Sequence, residues 1–117
     1  MSRNPPKKLD ISGVKYDVVM VKRLRIKKKG KPTRKFFGLC YNLPAKIKIE
    51  KRQQPTQLAA TMLHEVFHAI FHHTGQREGV AEHIEEAAVT ALSQGVVDVL
   101  QRNPKLLDWL VEQIKGE

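Results

Sequence analysis

Residues 64–68 read His-Glu-Val-Phe-His. On a helix, positions i and i+4 share a face, so His64 and His68 can close on one metal ion. Glu65 then lies beside the ion and outside the ligand set. Neutral imidazole nitrogens suit zinc. Zinc lowers the pKa of its water to about 7, and Glu65 can take the proton as the water attacks a carbonyl. The same carboxyl can hand that proton to the leaving amine. The chemistry of this spacing is hydrolysis of a peptide bond, with Zn2+ as cofactor, Glu65 as general base and a peptide or protein as substrate.

A catalytic zinc takes three protein ligands. The metzincin continuation is absent, since Phe71 holds its Gly position and Thr74 its third-His position. The gluzincin solution draws a Glu from the next helix. That segment reads Ala-Glu-His-Ile-Glu-Glu-Ala-Ala-Val and offers Glu82, Glu85 and Glu86. On the helical wheel Glu85 falls in the middle of the apolar face. Glu86 falls on its edge, as His64 and His68 do on theirs, and follows His68 by 18 residues, close to the gluzincin separation. Glu86 is the expected third ligand and Glu82, one turn earlier, the second choice. With Glu86 as ligand, Glu82 is placed to orient a ligand His from behind. A Glu-rich first turn that favours the helix dipole accounts for the other acids.

The elements that must position these groups can be read from periodicity. Pro55 opens a long helix that Gly75 ends. Around its wheel, Met62, Leu63, Val66, Phe67, Ile70 and Phe71 form a wide apolar face beside the His/Glu stripe. A second helix is expected from about Val80 to Leu100. Asn103-Pro104 stops it, and Pro104 opens a third helix carrying Leu106, Leu107, Trp109, Leu110 and Ile114. The first half is different. Leu9 to Leu24 or Ile26 is rich in β-branched and aromatic residues, with a turn at Ser12-Gly13, and predicts one or two strands. Phe36–Tyr41 and the strictly alternating Lys46–Glu50 predict two more. The fold class is α+β, with a small antiparallel sheet of three or four strands packed on the metal-binding helix and two further helices.

HEVFHAIFHHTG followed by EEAAVTALSQGVVDVLQRNP resembles small bacteriophage and prophage proteins of the minimal zincin type, related to the ImmA/IrrE-like metallopeptidases. The start, Ile-Ser-Gly-Val-Lys-Tyr-Asp-Val, resembles the opening strands of that group. The resemblance covers roughly residues 9 to 107, and the H-E-x-x-H is its specific part. It implies a zincin-like fold, with His64, His68 and Glu86 as ligands and Glu65 as base. It also implies a phage-encoded protein working in the cytoplasm of a bacterial host. The departure is a basic insert between the first strands.

That insert dominates the charge. Residues 1–54 hold 17 Lys/Arg against 3 Asp/Glu, and residues 55–117 hold 4 against 9. Nine of the 14 residues from Lys22 to Lys35 are basic. With Gly30 and Pro32 inside it, the stretch from Lys27 reads as a loop able to contact nucleic acid or another polyanion through phosphates. An acidic protein partner is a further option, and a solvated loop that aids solubility is the bland one. The alternative to an enzyme follows: a non-catalytic phage-encoded binding or assembly protein with a structural or vestigial zinc site.

Composition bounds the rest. With 41% hydrophobic and 28% charged residues, 117 residues make one globular domain. It is expected over 9–117, with 1–8 a disordered tail. One cysteine, Cys40, excludes an internal disulfide and a Cys-rich zinc finger, and reads as a small buried hydrophobe. No apolar run approaches the roughly 20 residues needed to span a membrane. None follows Met1 as a secretory signal would, so a cytoplasmic location is expected. His72, His83 and Tyr41 are further candidates near the metal or an oxyanion, and Trp109 for the core or an interface.

Overall fold

The computed structural model describes residues 4–75, 79 and 81–116. Six strands precede three helices: β1 (Lys8–Ile11), β2 (Val14–Val21), β3 (Arg25–Ile26), β4 (Arg34–Lys35), β5 (Gly38–Asn42), β6 (Ala45–Glu50), α1 (Pro55–His73), α2 (Glu82–Arg102) and α3 (Pro104–Lys115). Four strands form one sheet in the order β1-β2-β6-β5, and β3-β4 is a separate two-stranded ribbon.

The β1–β2 hairpin turns at Ser12 (φ 56°) and Gly13 (φ 84°). Two consecutive positive φ angles give the tight turn whose twist suits paired strands. The Gly13 N–H donates to Asp10 Oδ1 at 2.9 Å. Along β2 the period-2 pattern buries Tyr16 and Val18 and exposes Lys15, Asp17 and Val19. Along β6, Ile47 and Ile49 are fully buried. Ile11, Tyr16, Ile47, Ile49 and Ala69 of α1 form the core, with Leu58, Met62 and Val66 packed against it. Each buried aliphatic side chain there is worth about 1.5–3 kcal/mol.

The sheet is α+β as expected, but mixed rather than antiparallel. β6 pairs with β2 in parallel, Asp17 opposite Lys46 through Val21 opposite Glu50. β5 and β6 form a tight hairpin through Leu43-Pro44, with Asn42 opposite Ala45. The strand with the greater apolar face, β6, takes the central place where burial is largest. β5, which carries Gly38 and Asn42, is left at the edge. The Lys22–Lys35 segment also departs from a plain loop. Arg25 pairs with Lys35 and Ile26 with Arg34, and Leu24 is buried.

β1 begins at Lys8, the last residue of the expected tail, and the Val18 N–H donates to the Lys7 carbonyl at 2.8 Å. Residues 1–3 lie outside the described residues, as does Val80, the expected start of the second helix. α1 packs between the sheet on one side and α2 on the other. No described helix is long and apolar enough to cross a membrane.

Candidate metal centre

α1 begins with Pro55 in its first turn, where a missing N–H costs nothing. It ends where the Thr74 N–H returns to the Ile70 carbonyl and Gly75 takes a positive φ of 76°. Along it, one side meets the sheet and another meets α2. The buried residues of α1 are Glu65 and Ala69, not the large apolar side chains. Ile70 is exposed, and Met62, Leu63, Val66, Phe67 and Phe71 are half-buried. The closest approach between helix and sheet leaves room only for a small residue, and the carboxyl of Glu65 fills the neighbouring slot.

His64 and His68 project toward the first turns of α2 and meet Glu86. His64 Nε2 lies 2.8 Å from Glu86 Oε1, His68 Nε2 lies 2.9 Å from Glu86 Oε2, and the two Nε2 atoms are 3.2 Å apart. Four ligands about 2.0–2.1 Å from a tetrahedral zinc stand roughly 3.3 Å from one another. Two imidazoles and a carboxylate at these separations fit such an ion. Among the described residues this is the one group of three or more His, Cys, Asp and Glu able to hold a metal. The Glu86 side chain is about half exposed, so the cluster opens toward solvent.

Glu85 acts from behind. Its carboxylate is 3% exposed and lies 2.6 Å from His68 Nδ1. A buried carboxylate needs a donor, and Nδ1–H supplies one. This fixes the proton on Nδ1 and turns the Nε2 lone pair toward His64 and Glu86, the orientation a metal requires. Burial lowers the His64 pKa below its ordinary value, with Glu86 opposing the shift and His68 adding to it. A neutral imidazole is the form that binds a metal.

Glu65 is 6% exposed, and burial pushes its carboxyl up to about 7 against the pull of His68. What buries it is the backbone of β5. A Cβ on Gly38 would stand 2.8 Å from Glu65 Oε2 and 2.8 Å from Thr61 Cγ2. Only a glycine lets the edge strand lie flat on the carboxyl. The strand end is tied to α1 through Gln53. The Thr61 hydroxyl donates to Gln53 Oε1 (2.7 Å), and Gln53 Nε2 donates to the Glu50 carbonyl (2.6 Å) and the Phe37 carbonyl (3.3 Å).

The structure thus brings His64, His68 and Glu86 together, with Glu65 adjacent. It gives the orienting position to Glu85 instead of Glu82. Glu82 is exposed and makes no hydrogen bond to either histidine among the described residues. The reason is position along the axis: Glu85 and Val89 are buried on α2, and Glu82, close to them in helical phase, lies a turn earlier at the exposed start of the helix. Glu85 was readable as a carboxylate in mid-apolar face. Gly38 was readable as a glycine inside a strand.

None of the remaining candidates belongs to the three-residue cluster among the described residues. Tyr41 is on the outer face of the sheet, its ring 5.7 Å from Lys48 Nζ. His83 is exposed. His72 is exposed and stacks edge-on with His73. His73 Nε2 meets the buried Tyr16 hydroxyl at 2.6 Å, and that hydroxyl donates to Asn42 Oδ1 at 2.6 Å. This network joins α1 to β2 and β5, and periodicity carried no sign of it. Cys40 is half-buried against the core.

The His64-Glu65-His68 motif with Glu86 from the following helix, behind a small sheet, is a zincin-like arrangement of the HExxH type. Comparison with protein-family models, curated proteins and solved structures finds no match to this chain.

Proposed function

We propose that the protein is a zinc-dependent metallopeptidase, with His64, His68 and Glu86 as ligands and Glu65 as general base. One observation carries the reading. His68 is held by buried Glu85 at Nδ1 while its Nε2 faces His64 and Glu86. That is the wiring of a metal-ligating histidine. Zinc bound there supplies a Lewis acid for a carbonyl and makes water acidic enough to attack.

The chain's own groups supply the rest. Glu65, with its proton affinity raised to about 7, takes a proton from water near neutral pH and returns it to the amine. β5 is a sheet edge. The Phe37 carbonyl accepts from the Glu50 N–H, so antiparallel alternation directs Gly38's own N–H and C=O away from β6. An extended peptide can pair there, beside Glu65. A non-catalytic zinc site would need a fourth protein ligand. Among the described residues the cluster has three, which favours the enzyme. A phage origin and work in the bacterial cytoplasm are part of the same proposal.

The test is metal analysis with a hydrolysis assay. Purified protein should carry about one zinc per chain, removable by chelator and absent from His64→Ala. Glu65→Gln should keep zinc and fail to hydrolyse peptides that the wild type cuts. Wild-type protein that takes up no zinc would refute the proposal.

A further inference from the structure

We infer that the substrate is an extended peptide carrying Asp or Glu about three to five residues to one side of the scissile bond, held by the basic β3–β4 ribbon. The inference rests on the peptidase reading and names the substrate class of that same site.

The ribbon's position is set by the chain. Lys22–Lys35 contains nine Lys/Arg and no Asp or Glu. Its lysines are exposed, and none makes an ion pair among the described residues. The Phe36 N–H donates to the Leu24 carbonyl at 2.9 Å, and buried Leu24 anchors the ribbon at the start of β5. Lys35 precedes Gly38 by three residues, so the two Cα atoms are at most about 10 Å apart. Gly38 is the residue whose backbone touches Glu65. A peptide paired along β5 has the same rise per residue as the strand. Within about three residues of its contact with Gly38 such a peptide nears the ribbon, at Lys35 and its cross-strand partner Arg25. Lys27, Lys28, Lys29 and Lys31 lie exposed in the segment that joins β3 to β4.

Phe37, immediately before Gly38, is 56% exposed. It offers an apolar surface to a side chain near the scissile bond. The ribbon's field could also draw a nucleic acid. The edge argues against that: the outward N–H and C=O of Gly38 match a peptide backbone, and Phe37 is one exposed aromatic where single-strand binding uses a series.

The experiment uses two fluorogenic decapeptides, identical except that Glu residues flanking an apolar centre in one are Gln in the other. Zinc-loaded wild type should cleave the Glu peptide with a KM about tenfold lower at low salt, and the gap should close as salt rises. In K27Q/K28Q/K31Q/K35Q the gap should vanish. Zinc-loaded Glu65→Gln serves for binding, by anisotropy, with both peptides and a single-stranded oligonucleotide of equal charge. Selective, ribbon-dependent binding of the Glu peptide supports the inference even if neither peptide is cut, an outcome that would count against the peptidase reading instead. Equal cleavage of the two peptides by the wild type, or failure to bind the Glu peptide selectively, overturns the inference. An oligonucleotide bound as tightly as the Glu peptide overturns it in favour of a nucleic-acid surface.

Discussion

Glu65 is at once the single acid of α1, buried, and the group asked to accept a proton. Its folded-state value of about 7 lies above the ordinary value of 4.5. The folded protein therefore holds this proton more tightly than the unfolded chain, and stability falls as pH rises from about 4.5 through 7. The cost above that window is on the order of 3 kcal/mol. Glu65→Gln should raise the Tm of metal-free protein at pH 8 and leave it nearly unchanged at pH 4, as calorimetry at the two pH values would show. With zinc bound, the cation favours the carboxylate, so the ascending limb of the pH–rate profile should fall at or below pH 7. Glu85 makes a separate prediction. Glu85→Ala removes the acceptor behind His68 and should weaken zinc binding by about 10–100-fold. Glu86→Ala should weaken it further, and Glu82→Ala should not change it. Competition with a chromogenic chelator measures all three, and wild-type affinity in Glu85→Ala would remove its orienting role.

At the scale of elements, the contact that matters is β5 on α1. Gly38 has no Cβ because Glu65 and Thr61 occupy that space at 2.8 Å. Gly38→Ala must move the strand or the carboxyl. It should cost about 1–3 kcal/mol in denaturant unfolding, the usual penalty for overpacking a close contact. It should also reduce hydrolysis while zinc stays bound, since the proposed ligands lie on α1 and α2. An alanine there that leaves both stability and hydrolysis at wild-type levels would show that the strand does not press on Glu65.

The whole molecule is longer than a compact chain of its size. Its Cα radius of gyration is 15.3 Å, against about 13 Å for a compact domain of this length. The extension is α2 and α3: no residue of α3 is buried, and Trp109 is 56% exposed. Trp109 is therefore no part of the core. Its fluorescence should be quenched readily by iodide, and Trp109→Ala should change unfolding free energy by less than about 1 kcal/mol. Zinc bound as proposed would have the opposite reach, because His64, His68 and Glu86 join α1 to α2. Adding zinc to metal-free protein should raise Tm, by the equivalent of about 4 kcal/mol at a thousandfold excess over Kd.

How much of this could be read without coordinates follows from the range of each interaction. Periodicity is local. It was enough for α1 from Pro55, the stop at Gly75, the break at Asn103-Pro104, the alternation of Lys46–Glu50 and the α+β class. The i, i+4 spacing of His64 and His68 is equally local, so it pointed to a metal before any fold was known. Other features depend on which segments meet in space. β6 entered between β2 and β5 because Ile47 and Ile49 bury most at the centre, and no short-range pattern encodes a parallel neighbour. Glu85 took the place behind His68 through the position of α2 on α1, a matter of packing between helices. Gly38 came to lie on Glu65, and Tyr16 to meet His73, across 27 and 57 residues of chain. The spacing in the sequence determined which groups could do chemistry, and the tertiary structure decided which of them were dry, oriented and within reach.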